Sequence, residues 1–175
     1  MKTSGRTAAV VIVAITLSQM LGCAPAPAPV TTPTPAFASE EEAFAAAEEV
    51  YRAYNDAGNA RRAGEETADP QRYLTGLALE GDIDTQNLLS SNDLKAKGTA
   101  VVQSFVGDSF VLDDSVATII GIVCLDASDV TLLDESRADV TPPERGDTVA
   151  QRVTLQGAIS SLLISDEITW EGSTC

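Results

Sequence analysis

The stretch VATIIGIVCL, residues 116–125, is apolar at nearly every position and rich in β-branched side chains. Runs of this length and composition are typical of a strand that is buried within a sheet. Further strand signals lie on both sides of it, at residues 101–111, 130–133, 148–156 and 162–170. Two prolines and a glycine between Thr141 and Gly146 predict a loop. The second half of the chain is therefore predicted to form a sheet, with residues 116–125 as its most buried strand.

A long helix is predicted before the sheet. Ser39, followed three residues later by Glu42, forms the capping box that marks a helix start. Apolar side chains then recur at helical spacing, at Phe44, Ala47, Tyr51 and Tyr54. Gly58 is the expected end of this helix.

Two shorter helices are expected between the long helix and the sheet. Asp69-Pro70 predicts a helix start with proline at the first helical position. This helix would carry Tyr73, Leu74 and Leu77. A third helix is expected over residues 84–97, with Leu88, Leu89 and Leu94 buried and Gly98 at its end. Helices followed by strands with short reversals indicate an α+β domain with an antiparallel sheet.

This order of elements resembles the NTF2-like (cystatin-like) superfamily, in which N-terminal helices pack on a curved antiparallel β-sheet that forms a cone. The resemblance lies in the helix with Tyr51 and Tyr54, DPQRYL at 69–74, CLDASDV at 124–130, RVTL at 152–155 and EGSTC at 171–175. The chain is most similar to small lipoproteins of high-GC Gram-positive bacteria that carry such a domain. The resemblance implies an NTF2-like domain over residues 39–175 and a homodimer formed through the sheet face.

The first 23 residues predict export. Lys2 and Arg6 precede an apolar run over residues 8–17, and the segment ends in Gly22-Cys23. This is the layout of a secretory signal peptide, and its end resembles the lipobox of bacterial lipoproteins. A retained transmembrane helix needs about 20 apolar residues, more than this segment offers. Cleavage by an ordinary signal peptidase would instead leave a free, exported protein. We expect residues 1–22 to be removed and Cys23 to be lipidated, which anchors the protein to the outer side of the cell membrane.

Residues 23–38 are expected to form a tether. The segment from Ala24 to Ala36, APAPAPVTTPTPA, contains five prolines and no charge. Proline-rich segments form semi-rigid spacers, here roughly 40 Å long when fully extended. A ligand for an SH3-like domain is the alternative, and it suits an exported bacterial chain poorly.

The charge of the chain disfavours nucleic acid as a partner. The sequence has 26 acidic and 11 basic residues, a net charge of −15. Removal of residues 1–22 would take away Lys2 and Arg6 and no acidic residue. An acidic surface repels phosphates and anionic lipid headgroups. Attachment to the membrane is therefore expected to come from acyl chains on Cys23.

Cys124 and Cys175 are expected to form a disulfide. In an oxidising compartment a remaining pair of cysteines normally bridges. The closed loop of about 50 residues would contribute roughly 3–4 kcal/mol to stability. Two free thiols or a metal pair are the alternatives, but a metal site would need further ligands.

The residue types present limit the chemistry. The chain contains no histidine, which excludes Ser-His and Cys-His nucleophile pairs. NTF2-like isomerases work with an acidic base and a tyrosine donor, so the candidate pocket residues are Tyr51, Tyr54, Tyr73, Asp126 and Trp170. Tyrosines at helical core spacing are usually structural, so we expect no catalytic residue. We also expect no cofactor and no metal site.

Two functional hypotheses follow. The first is a non-catalytic binding module at the cell envelope, whose partner is a protein or a wall component. The second is a pocket protein that binds a small molecule, or transforms it as a histidine-free isomerase. The first is the preferred prediction.

Overall fold

The computed structural model describes residues 37–172 and 175. The predicted signal peptide, Cys23 and the tether up to residue 36 lie outside these residues. The helices and strands are α1 (Glu40–Ala63), α2 (Gly76–Ser91), β1 (Lys95–Lys97), β2 (Val101–Asp113), β3 (Val116–Asp126), β4 (Thr131–Leu133), β5 (Thr148–Gly157) and β6 (Leu163–Thr169). Helices that precede antiparallel strands confirm the predicted α+β class.

The strands form two antiparallel sheets. The larger has the order β2-β3-β5-β6, and the smaller pairs β1 with β4. β3 lies inside the larger sheet and has fully buried side chains at Ala117, Ile119 and Val123, which confirms that it is the most buried strand. The register of β2 against β3 shifts twice, after Val102 and after Gly107. Shifts of this kind are β-bulges, which bend a strand.

α1 begins where the sequence predicts. The Glu42 N–H donates to Ser39 Oγ at 3.2 Å, and the Ala38 N–H donates to the Glu42 carboxylate at 2.6 Å. The predicted end at Gly58 is wrong, since the helix continues to Ala63 and Gly58 is buried within it. A glycine inside a helix costs about 1 kcal/mol, which the packing of the helix against the sheet outweighs. Gly64, with φ of 88°, is the residue that ends the helix.

The core lies between α1 and one face of the larger sheet, which we call the inner face. Ala43, Ala47 and Tyr51 recur every four residues along α1 and are buried there. Opposite them lie Ile119, Val123, Val153, Leu155 and Ile164, all inaccessible to solvent. Phe37 also belongs to the core, where its ring packs edge-on against Phe110 at 6.1 Å. It is buried although the sequence places it in the tether.

The two shorter helices differ from the predictions. The expected helix at Asp69-Pro70 is a single 3₁₀ turn, Pro70–Tyr73, after which Leu74 runs extended and pairs with Ile164. The expected helix over residues 84–97 is correct only as far as Ser91. α2 begins at Gly76 and ends at Ser91, and Lys95–Lys97 is a strand. Pairing with β4, which is 38 residues away at Lys95↔Leu133 and 34 at Lys97↔Thr131, overrides the local helical pattern.

Candidate functional site

A cleft of about 710 Å³ lies between α2, β1, the end of α1 and the inner face of β5 and β6. Small-molecule sites in proteins usually have volumes of about 300–1,000 Å³. The apolar side chains of Leu77, Leu89 and Leu94 line the cleft. Glu167, Gln151 and Thr169 line the part formed by the sheet. The cleft therefore combines apolar side chains with polar groups, some of which converge from β5 and β6.

Glu167 accepts hydrogen bonds from two tyrosines of α1. The Tyr51 hydroxyl donates to Glu167 Oε1 at 2.7 Å, and the Tyr54 hydroxyl lies 3.4 Å from Oε2. Gln151 Oε1 is 3.2 Å from the same Tyr51 oxygen. The two rings pack edge-on, with 5.7 Å between their centroids. The structure thus brings together Tyr51 and Tyr54, which the sequence singles out, around a carboxylate that the sequence analysis missed.

Burial shifts the pKa values of Glu167, Tyr51 and Tyr54. It raises the pKa of Glu167, and the hydrogen bonds from Tyr51 and Tyr54 only partly offset this. Burial, reinforced by the Glu167 charge, also raises the pKa of Tyr51 well above 10.0. The pKa of Tyr54 rises for the same two reasons. Both tyrosines therefore remain protonated donors at neutral pH, while Glu167 takes up a proton at a higher pH than an exposed glutamate does.

A bulge in β6 turns Glu167 toward the inner face. Leu155 pairs with Ile164, but the preceding residue of β5, Thr154, pairs with Asp166, so Ser165 is an extra residue on β6. From there Glu167 pairs with Val153, which is buried on the inner face. Strict alternation from Ile164 would have placed Glu167 on the outside. This shift explains why the alternation pattern gave no signal for Glu167.

A second polar cluster lies at the junction of α1 and α2. Arg61 donates to both carboxylate oxygens of Asp82, at 2.9 and 2.5 Å, and Gln71 donates to Asp82 Oδ2 at 2.9 Å. The Asp82 side chain is only 7% exposed. Burial alone would raise the pKa of Asp82, but the hydrogen bonds from Arg61 and Gln71 outweigh burial and lower it. Asp82 therefore remains ionised and paired, and it fixes α2 against α1.

Three further cations line the cleft. Arg62 donates to Gly98 O at 3.2 Å and to Asn59, and Lys97 Nζ donates to Arg62 O at 3.1 Å. Burial, and then the neighbouring Arg61 charge, lower the pKa of Arg62. Within residues 37–172, none of Arg62, Lys95 and Lys97 forms an ion pair with a carboxylate. The cleft therefore holds positive charge that no neighbouring side chain neutralises.

The other candidate pocket residues lie away from the cleft. The Arg72 guanidinium stacks over the Tyr73 ring, 4.7 Å from its centroid. Asp126, at the end of β3, accepts from the Ser128 N–H and hydroxyl at 3.0 and 2.7 Å, which lowers its pKa. Trp170 follows β6 and is 37% exposed. The structure does not bring these three residues together with Tyr51 and Tyr54.

The predicted disulfide is present. Cys124 and Cys175 are bonded, with 5.6 Å between their Cα atoms. Since Ser104 and Cys124 pair on the face opposite to the inner one, the bridge holds residue 175 against the outer face of the sheet. That face also exposes Val106, Val111 and Ile168. The expected pairing of two copies through this face stays a prediction.

The described residues contain neither a metal-binding cluster nor a membrane-spanning helix. No cluster of three or more Cys, Asp or Glu side chains suited to a metal ion occurs among residues 37–172 and 175. No helix in this part of the chain is both long and apolar enough to cross a membrane. The lipidation predicted at Cys23 falls outside the described residues.

Comparison with known proteins supports the fold alone. No protein-family model matches the sequence, and no curated protein is significantly similar to it. Among solved structures, the intermembrane space region of the chloroplast protein ARC6 superposes with a TM-score of 0.51 and 13% sequence identity. The alignment covers 74% of this chain and 97% of that one. At this identity the similarity indicates a shared α+β architecture.

Proposed function

We propose that this protein is a lipid-anchored, extracytoplasmic binding module with an NTF2-like domain, and that it acts at the cell envelope without catalysis. Acyl chains on Cys23 would hold it at the membrane, and the proline-rich segment would carry the domain outward. The cleft beside Glu167 would bind its ligand, which could be free or part of an envelope protein or wall component. The cleft is the observation that carries the proposal, because its size and its convergent polar groups match those of ligand sites.

The environment of the tyrosines supports binding rather than catalysis. A general acid or base works best when its pKa is near the operating pH. Burial moves the pKa values of Tyr51 and Tyr54 upward, away from neutrality, and both hydroxyls already donate to Glu167. This arrangement is suited to fixing the position of the Glu167 carboxylate in the cleft.

Intact mass spectrometry tests the anchor. The full chain is extracted from its native membrane, thiols are blocked without reduction, and the mass is compared with that of a Cys23→Ala variant. We expect residues 23–175 plus lipid, with no blocked thiol on Cys124 or Cys175. A lipid-free mass for the wild-type chain would contradict the anchoring part of the proposal.

A variant that fills the cleft tests the binding part. Gly81 lines the cleft, and a Cβ placed there would meet no other atom within 4 Å. Gly81→Leu should therefore occupy the cleft without disturbing α2. Asn87→Leu, on an exposed position of the same helix outside the cleft, is the matched control. Native mass spectrometry of the extracted proteins should detect a bound ligand in the wild type and in Asn87→Leu. An equal signal in Gly81→Leu would show that the cleft is not the binding site.

One observation favours acid–base catalysis as a second candidate function. Burial raises the pKa of Glu167 toward the range in which a carboxylate acts as a base, and Glu167 lines the cleft. If Glu167 is a catalytic base, the wild-type protein should convert the bound ligand to a product of changed structure over time. Glu167→Gln should retain the ligand unconverted. Identical ligand in both proteins over the same period would exclude this candidate.

A further inference from the structure

The cleft is far more basic than the rest of the chain. Four of the 11 lysines and arginines line it, namely Arg61, Arg62, Lys95 and Lys97. Only two carboxylates, Asp82 and Glu167, line it with them. In a chain with a net charge of −15, this local excess of positive charge marks the cleft as the place where an anion would be attracted.

The pairing within the cleft leaves three of these cations available. The Asp82 carboxylate already accepts two hydrogen bonds from Arg61 and one from Gln71. The Glu167 carboxylate already accepts hydrogen bonds from the hydroxyls of Tyr51 and Tyr54. The Arg62 guanidinium is partly buried and contacts only carbonyl and amide oxygens, in the part of the chain that the structure describes. Cations held in this way gain stabilisation when an anion arrives, since hydrogen bonds to an ionised acceptor are roughly twice as strong as those to a neutral one.

Apolar side chains also line the cleft, among polar residues of α2 such as Asp82, Thr85 and Gln86. Leu89 and Leu94 line it next to Lys95, and the Leu94 N–H donates to Leu89 O at 2.9 Å, which keeps these two residues adjacent. Burial of this leucine surface favours binding, because it removes apolar area from water. A ligand that contacts both the cations and these leucines would need an anionic group and an apolar part.

We propose that the cleft binds a small amphiphile with one anionic headgroup, carboxylate or phosphate, and an apolar chain. The headgroup lies among Arg62, Lys95 and Lys97, and the chain lies along Leu89 and Leu94. This assignment rests on the proposed binding function and names the ligand chemistry of the same cleft.

Matched probes test the assignment. The full chain is reconstituted in phosphatidylcholine nanodiscs and titrated calorimetrically with octanoate, octyl phosphate and neutral octanamide, with empty nanodiscs as the blank. We expect the two anions to bind at least about tenfold more tightly than octanamide and to weaken as salt increases, because added ions screen the attraction. The tighter of the two anions identifies the headgroup as carboxylate or phosphate.

Charge variants locate the effect. Lys95→Gln/Lys97→Gln should weaken octanoate binding by about fivefold, as expected for the loss of two partly solvated charge contacts. Arg137→Gln/Arg152→Gln removes the same amount of charge outside the cleft and should stay within about twofold of the wild type. Lys95→Gln alone provides a milder variant, since its side chain makes no hydrogen bond to any described residue. Gly81→Leu, which narrows the cleft, should weaken the binding of all probes.

Three results would overturn the inference: octanamide binding as tightly as octanoate, an unchanged affinity in the Lys95/Lys97 variant, or no binding of any probe. The broader binding function can be judged separately. A neutral ligand found in the wild type and absent from Gly81→Leu by native mass spectrometry would retain the binding function and reject the anionic ligand. The absence of any Gly81-dependent ligand would reject both.

Discussion

At the scale of single residues, the feature that matters most is the orientation of Glu167. One extra residue, Ser165, shifts β6 so that Glu167 faces α1 while Ile168 faces outward and is 48% exposed. The carboxylate is tolerated on the inner face because Tyr51 and Tyr54 donate to its two oxygens. Without such donors, a buried carboxylate would be strongly destabilising.

The raised pKa of Glu167 predicts a particular dependence of stability on pH. Below its ordinary value of 4.5 the group is protonated in the folded and unfolded states alike. As the pH rises above that value, the unfolded chain releases the proton before the folded protein does, so the free energy of unfolding falls until the folded pKa is passed. Each unit by which folding raises the pKa lowers stability at neutral pH by about 1.4 kcal/mol.

Glu167→Gln removes this titration, so the comparison of the two proteins isolates it. Urea unfolding at intervals from pH 4 to pH 7 should show the wild type losing stability relative to Glu167→Gln as the pH rises. The other groups that act on Glu167, which are Tyr51, Tyr54, Asp82 and Asp166, are present in both proteins. A constant difference across this range would contradict the raised pKa.

At the scale of elements, two paired glycines on the inner face make room for aromatic rings, one of which belongs to α1. Gly107 of β2 pairs with Gly121 of β3. The ring of Phe44 from α1 occupies the space above Gly107, and the ring of Phe105 covers Gly121. A strand glycine weakens a strand by itself, yet here its missing side chain allows aromatic rings to pack directly on the backbone.

The same substitution at two glycines should have opposite effects. A Cβ on Gly107 would collide with the Phe44 ring, so Gly107→Ala should lower the free energy of unfolding by about 1–3 kcal/mol. Gly81, inside α2, has open space around it, so Gly81→Ala should raise stability by about 0.5–1 kcal/mol. Urea unfolding of both variants measures the difference. Equal stabilities for the two variants would mean that Phe44 does not depend on the space above Gly107.

At the scale of the whole molecule, a disulfide cross-links two distant parts of the chain. The disulfide joins Cys124 in the most buried strand to Cys175, 51 residues later. The loop that it closes contains β4, β5 and β6. The disulfide therefore removes much conformational entropy from the unfolded chain and little from the folded one.

Removal of the disulfide should lower the free energy of unfolding by about 3–4 kcal/mol. Urea unfolding of the wild type and of Cys175→Ser, each with and without a reductant, measures this. The reductant should destabilise the wild type to about the level of Cys175→Ser and should leave that variant unchanged. A wild-type protein whose stability does not respond to reduction would contradict the expected contribution.

Local sequence specifies those features that depend on neighbouring residues or on covalent chemistry. The start of α1 at the Ser39–Glu42 capping box, the buried strand at 116–125, the α+β class and the Cys124–Cys175 bridge were all predicted and are present. Tertiary structure alone decided the rest. Packing of α1 against the sheet carried the helix through Gly58, pairing with β4 made Lys95–Lys97 a strand, and the bulge at Ser165 turned Glu167 inward. Each of these outcomes depends on contacts between residues far apart in the chain, and such contacts can outweigh local preferences of about 1 kcal/mol or less per residue. The cleft is built from these elements, so its place in the fold followed from long-range pairing.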